Sequence, residues 1–524
     1  MNKNFVAKIS IVPGWLSRRP VALGGALLAA MLLPLNLLAL QPFHHDEALY
    51  SAWALEIVSG HDPWLARTVV DKPPLFLYLI AGSMRLLGAT ETAARIPSLA
   101  ATVFTVGLTF WLGRELYDHQ VGLVAAWLVA LSPFTILFAP TALTDPLLVA
   151  LVLAGCLAAT KGRAAGAAGF LGLAIAAKQQ GLFFAPLIVA LLISGLRRPA
   201  GDRREAGGHR ARLRPHISRF TFGLGLVLLP LLFWILARPE LPGFWEQGLV
   251  NYGGLATDAA GFSERWWGFV ALLQYGTASP ILNTLFVIGL PALLSYGVWS
   301  YRYQRPGQAA NFQPTQMDWL FFVFIVIFLS GHAFFSFQIW DRYLLGLTPL
   351  LALLLARVLL LPWSILKGGW LQRRPELRGW VGWAVSLGLV WLLAATLPGP
   401  AQDAANARYP LGSNSNALRG LEQIVAYLQG QVGANHTLYH RWLGPHWRFY
   451  LWGYPYDLQY WSSPQALAAQ AQPGHLIAFP SWRSETEARL ALAGAGLELR
   501  ELARAYHPAG YPSIILYRIE TVEK

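Results

Sequence analysis

The sequence predicts an all-α polytopic membrane domain over residues 1–399, followed by a small α/β extracytoplasmic domain over residues 400–524. Three observations predict this. Hydrophobic residues fill 55% of the 524 positions and charged ones only 13%, about half the charged share of a soluble domain. Apolar segments long enough to enter a bilayer recur from Val21 to Leu397. Past Pro400 the apolar runs shorten and alternate between strand and helix patterns.

The net charge of +13 is placed as a topology signal. Its densest run, Arg197 to Arg219, lies between two apolar segments, as a cytoplasmic loop does under the positive-inside rule, so no nucleic-acid partner is expected. Cys156, the only cysteine, lies inside an apolar segment, which excludes an intrachain disulfide or a thiolate metal site. Lys3, Lys8, Arg18 and Arg19 place the N-terminus in the cytoplasm. The first span, Val21 to Leu40, lacks a signal-peptidase-like site and is expected to be retained.

That span delivers Pro42-Phe43-His44-His45-Asp46-Glu47 to the outer face. Ionisable residues at a membrane edge are costly and point to function. A short interfacial helix follows, Glu47 to Val58, ending at Ser59-Gly60, with a carboxylate suited to its N-terminus. Asp71-Lys72-Pro73-Pro74 sets the start of an apolar helix to Leu87, because proline suits a first turn. Ala93–Leu112 returns inward to Arg114, and Val121–Phe138 goes out. Asp145-Pro146 opens the next helix, where Asp145 suits an N-cap. Lys178-Gln179-Gln180-Gly181 breaks the following apolar stretch at the outer face. Phe220–Leu236 leads to a Trp-rich outer loop, Pro239 to Gln274, that fits a substrate cover. Spans Ile281–Trp299, Trp319–Phe335, Leu344–Val358 and Trp380–Leu397 complete about eleven crossings. Trp340-Asp341-Arg342-Tyr343 opens one of them from outside. In the C-terminal domain, Gly420–Leu428 and Glu485–Ala493 suit helices, while Thr437–Tyr439, Leu476–Phe479 and Ile514–Ile519 suit buried strands.

This topology brings Asp46, Glu47, Asp71, Lys72, Asp145, Lys178, Asp341 and Arg342 to one face. Cations beside apolar walls suit a phosphate with a hydrophobic tail. A carboxylate among them suits proton removal from an attacking hydroxyl or amine. With no P-loop or GxGxxG in the chain, a lipid-linked donor fits better than a nucleotide.

The chain resembles the GT-C membrane glycosyltransferases, namely bacterial protein O-mannosyltransferases and lipid A aminoarabinose transferases. The resemblance rests on Asp46-Glu47 with Tyr50, Lys72-Pro73-Pro74, Ala94-Arg95-Ile96-Pro97, Thr144-Asp145-Pro146, Ala177-Lys178 with Pro186, and Arg342-Tyr343 with Pro349. It implies sugar transfer from a polyprenyl-phosphate donor to an extracytoplasmic acceptor (a glycolipid, protein or envelope glycan) by a multi-pass protein of the cell membrane. It also implies Asp46 as the base, Asp145 near the reacting centre with Glu47 beside Asp46, and Lys72, Tyr343, Arg342 and Lys178 as donor-phosphate contacts. Leu49 stands where the aminoarabinose transferases have arginine, and Asp71 where they have glutamate. The resemblance therefore sets the reaction class and leaves open the sugar and an assisting divalent ion, for which no ligand is assigned. Two other classes use a charged cavity: a transporter or flippase, and a non-catalytic polyprenyl-phosphate-binding protein. A transporter would show repeats and broken helices at the midplane; no clear repeat is present, and the charges gather at one face.

Overall fold

Among the described residues, eight helices are long and apolar enough to cross a membrane: Pro20–Leu38, Glu91–Leu116, Gln179–Leu196, Pro215–Leu236, Pro280–Ser300, Pro314–Phe334, Asp341–Arg373 and Pro375–Ala405. Four shorter apolar helices, Leu75–Leu87, His119–Ala130, Asp145–Thr160 and Ala164–Ala177, stand among them. The computed structural model describes residues 19–40, 42–197, 209–251, 256–303, 313–335, 337–368, 370–412, 418–431 and 436–522. Lys3, Lys8, Arg18, Tyr252, Arg305 and the middle of the basic run fall outside them.

The expected spans are not all met by single long helices. The expected span Val121–Phe138 divides into His119–Ala130 and Pro133–Phe138. Pro133 lacks the N–H that would continue the first helix, and its fixed φ suits the start of the second. Burial ranks the helices by position. The most hydropathic stretch of Asp341–Arg373 is 78% buried and forms the centre, while that of Pro375–Ala405 is 11% buried and lies at the rim. Close crossings rest on glycine: a Cβ on Gly122 would come within 2.4 Å of the Phe110 carbonyl oxygen, so Glu91–Leu116 and His119–Ala130 touch backbone to backbone. Inside the bundle, Arg357 donates from Nη2 to Asp318 at 3.0 Å. Both side chains are largely buried and neither was singled out from the sequence.

The C-terminal domain is a five-stranded sheet in the order β2-β1-β3-β5-β4. Its strands are β1 His436–His440, β2 Tyr456–Tyr460, β3 Leu476–Pro480, β4 Leu497–Tyr506 and β5 Pro512–Thr521. β1, β2 and β3 are parallel, and β5 is antiparallel to β3 and β4. The three strands expected from sequence, β1, β3 and β5, form the middle. The two not expected, β2 and β4, are the edges, where one side meets water and the apolar signature thins. Packing of the bundle continues through Ala401, Ala404 and Leu411, and the core of the sheet domain begins at Leu418.

Candidate functional site

The segment before the His45–Ser59 helix determines where its carboxylates go. His44, not a carboxylate, is the N-cap: its ring accepts from the Asp46 N–H at 3.3 Å, and its own N–H donates to Glu47 Oε2 at 2.9 Å. Gly60 at φ +79° ends the helix in the left-handed conformation. Glu47 is thereby turned into the bundle, where Arg95 donates from Nε at 3.0 Å and Nη2 at 3.2 Å, and the Ala142 N–H donates at 2.7 Å. Arg95 also donates to the Leu38 carbonyl at 2.7 Å and lies over the Phe43 ring at 5.0 Å. With four donors on two oxygens in a buried setting, Glu47 ties three segments together. This revises its expected place beside Asp46 in the chemistry.

Asp46 faces the opposite way, half-buried, and accepts from Arg342 Nη1. Burial pushes its carboxyl up, but the Arg342 guanidinium, with His44 and Lys72, more than reverses this and holds it well below the usual carboxylate range. Arg342 is fixed by the turn Asp341–Leu347, because Asp341 accepts from the Arg342 N–H at 2.8 Å and from the Gly412 N–H at 2.8 Å. Its guanidinium also covers the Trp340 ring at 5.0 Å.

Two further pairs repeat the motif. Lys178 donates to Asp145 at 2.5 Å and lies 5.2 Å from the centre of the Tyr343 ring. Lys72 donates to Asp71 at 2.7 Å and lies 5.8 Å from that of Tyr50. The expected N-cap role of Asp145 is corrected: Thr144 occupies that position, and the Asp145 side chain turns to Lys178. Lys178 stands at the break because the turn Gln179–Phe184 folds back on the preceding helix. A Cβ on Gly181 would lie 2.6 Å from the Ala174 carbonyl carbon, so only glycine allows this approach.

Lys72, Lys178 and Tyr343 line a cavity of about 270 Å³ whose remaining wall is mostly apolar, including Leu182, Phe183, Trp245 and Phe337. Trp245 and Leu249 come from the helix Phe244–Asn251, so part of the Trp-rich loop lines the cavity. Asn251 donates to Asp71 at 3.2 Å, and Gln179 to the Asp71 carbonyl at 2.6 Å. One polar lining residue escaped the sequence reading, His332; its partner Gln180, from the expected break, lies at 3.0 Å between the side-chain nitrogens. His332 sits near the end of an apolar helix, where a titratable residue was the available signal.

No three His, Cys, Asp or Glu side chains converge among the described residues. Asp46, Asp71 and Asp145 each hold a cation of the protein itself. The arrangement does not fit a resident divalent ion.

The C-terminal domain joins this site through the helix Gly444–Tyr450. Tyr450 Oη accepts from the Phe43 N–H at 3.0 Å and donates to Glu91, while His446 Nε2 bonds the Phe43 carbonyl at 2.9 Å. The rings of Phe449 and Phe43 meet edge to face at 4.8 Å, and His446 lies 5.9 Å from His45. The turn carrying Asp46 is thus clasped from both sides.

The fold is that of the GT-C membrane glycosyltransferases. Over residues 71–204, which hold Lys72, Asp145 and Lys178, the sequence matches a family model described as dolichyl-phosphate-mannose-protein mannosyltransferase. In structure the chain is similar to ArnT from Cupriavidus metallidurans bound to undecaprenyl phosphate, with TM-score 0.61, 15% identity, and 97% of this chain and 98% of that one covered. It is also similar to the Archaeoglobus fulgidus oligosaccharyltransferase, with TM-score 0.55, 12% identity, and 93% and 70% covered. The archaeal AglB from the same organism, in complex with an inhibitory peptide and a dolichol-phosphate, gives TM-score 0.53, 12% identity, and 92% and 69% covered. No curated protein sequence matches the chain.

Proposed function

We propose that the protein moves a sugar from a polyprenyl-phosphate donor to an acceptor on the extracytoplasmic side of the cell membrane. The observation that carries this reading is the group of cations in which Lys72 and Lys178 line the apolar cavity and Arg342 pairs with the Asp46 carboxylate. Arg342 and Lys72 both act electrostatically on Lys178. Each cation is already paired with a carboxylate, and a phosphate entering among them would share their donors, while the apolar wall suits a prenyl chain. Support comes from the shared fold: the Cupriavidus and Archaeoglobus structures hold undecaprenyl phosphate and dolichol-phosphate. The basic loops and the single-sided charge cluster support this orientation.

In the step proposed, the acceptor oxygen or nitrogen bonds to the anomeric carbon as the bond from that carbon to the phosphate oxygen breaks. Asp46 takes the acceptor proton, and polyprenyl phosphate leaves with the electron pair. A carboxylate locked to Arg342 is a weak base. Donor phosphate draws on the same guanidinium, loosens its hold on Asp46 and raises the basicity of Asp46 when a substrate is present. Lys72, Lys178 and Tyr343 steady the departing phosphate. Asp145 holds Lys178 in place, and Glu47 holds the turn. Incubating the membrane-embedded protein with a panel of polyprenyl-phosphate sugars, with mass spectrometry of the products, tests this. One donor is expected to give a glycosylated product. Binding of donors with no transfer from any of them would instead leave a lipid-phosphate-binding protein.

A further inference from the structure

The C-terminal domain gathers a second set of chemical groups at one end of its sheet. β1 lies between β2 and β3, all parallel, so the chain leaves β1 toward one side and then crosses to the other. In open α/β sheets ligands settle outside the carboxyl ends of the strands at such a switch. All three carboxyl ends here are followed by arginine or large aromatics: Arg441-Trp442 after β1, Trp461 after β2, and Trp482-Arg483 after β3.

These side chains form an ordered group. Trp442 meets Trp461 edge to face at 5.5 Å, and the Arg441 guanidinium lies over Trp461 at 5.1 Å. Arg483 lies over Trp442 at 5.7 Å. Both arginines are exposed, and neither has a carboxylate partner among the described residues. Tyr460, Trp482, Tyr506 and Tyr511 are 58%, 47%, 48% and 52% exposed at this same end. Among the described residues of the domain, only Tyr454 is an exposed large aromatic elsewhere. His440, which closes β1, is 5% exposed, and neither of its ring nitrogens has a hydrogen-bond partner. Buried polar atoms left unsatisfied call for an explanation, and a polar ligand nearby supplies one.

Two unpaired guanidinium forks suit phosphate or carboxylate groups, and exposed flat rings with polar tips suit the faces and hydroxyls of sugars. At the centre of the group Trp461 is buried and Trp442 half-buried, each under an arginine, so the guanidinium forks lie among the exposed rings. The edge also lies near Asp46. Trp442 precedes His446 by four residues, a reach of at most about 14 Å, and the His446 ring is 5.9 Å from that of His45. We propose that the carboxyl edge of this sheet is a binding site for an acidic saccharide, one bearing phosphate or carboxylate groups, and that it holds the acceptor during transfer. The acceptor role rests on the transferase reading above; the binding itself does not.

The test uses the full-length protein in neutral-lipid nanodiscs, titrated with phosphorylated mannopentaose and with unphosphorylated mannopentaose. Wild type and Asp46→Asn are expected to bind the phosphorylated probe equally. The double variant Arg441→Gln/Arg483→Gln should bind it at least about ten-fold more weakly, since it loses two charge-assisted contacts. Trp482→Ala, at an exposed position, should weaken both probes several-fold with an unchanged unfolding temperature. Equal affinity of the double variant and wild type for the phosphorylated probe would overturn the site. So would the absence of wild-type binding at millimolar probe, or a defect of the double variant seen only with phosphatidylglycerol vesicles, which would make the edge a membrane contact. Intact probe binding by a protein that transfers no sugar would retain the site and remove the transferase reading instead.

Discussion

Asp46 and Glu47 are neighbours in sequence and act in opposite ways because one residue is about 100° of turn on a helix. Glu47 enters the bundle and meets Arg95, so removing its charge strands a buried guanidinium. Glu47→Gln is expected to cost about 3–5 kcal/mol of stability, read as a large fall in unfolding temperature in detergent; an unchanged temperature would refute the strut. Asp46→Asn, which loses the Arg342 pair at a less buried position, should lower that temperature by less. Arg342 sets the ionisation of Asp46. With the guanidinium gone, the Asp46 carboxyl moves up from its depressed value, since burial then acts with less opposition. The base is active when ionised, so the acidic limb of the pH–rate profile of Arg342→Gln should move to higher pH than in wild type. A limb that stays in place would separate Arg342 from the base. Asp46, Lys72, Asp145 and Arg342 were legible from sequence because charge at a membrane edge is costly. The split between Asp46 and Glu47 was not, since it depends on Ala142 and Arg95 arriving from distant segments.

The helix Gly444–Tyr450 connects the two halves of the molecule. Its contacts with Phe43 span about 400 positions of sequence, and no local pattern encodes a partner so distant. The edge strands β2 and β4 escaped for a different reason: Tyr456–Tyr460 and Leu497–Tyr506 mix polar with apolar residues because one side is open to water. Tyr450→Phe deletes a hydroxyl that serves the Phe43 N–H and Glu91 together. Misplacing a catalytic group by about 1 Å can cost about 100-fold in rate. The variant is therefore expected to turn over at least several-fold more slowly while binding polyprenyl phosphate as wild type does. Unchanged turnover would mean that the domain merely rests on the bundle.

For the molecule as a whole, the bundle was legible from hydropathy and the basic loops, but not every helix boundary was. Pro133 divides an apolar stretch that hydropathy alone reads as continuous, whereas the break at Lys178 shows in the sequence as a polar run. The sheet domain adds a pH dependence of its own. Burial pushes His446 down to about 3, and burial, then Arg448, pushes His440 down to about 4. Between about pH 6.5 and 4 the unfolded chain binds protons that these folded histidines do not, so stability falls as pH falls. The slope is about 1.4 kcal/mol per pH unit for each histidine. Thermal unfolding measured from pH 7 to 5 should show this decline, and His446→Asn should remove part of it. A temperature independent of pH would show that both rings are charged when folded.

The most direct test of the proposed reaction is single-turnover transfer from a polyprenyl-phosphate sugar accepted by wild type, compared with Asp46→Asn protein shown to bind the same lipid. The account predicts one released polyprenyl phosphate per sugar transferred in wild type, and a rate lower by about 10²–10⁴-fold in the variant, with donor affinity retained. Transfer by Asp46→Asn at close to the wild-type rate would contradict it.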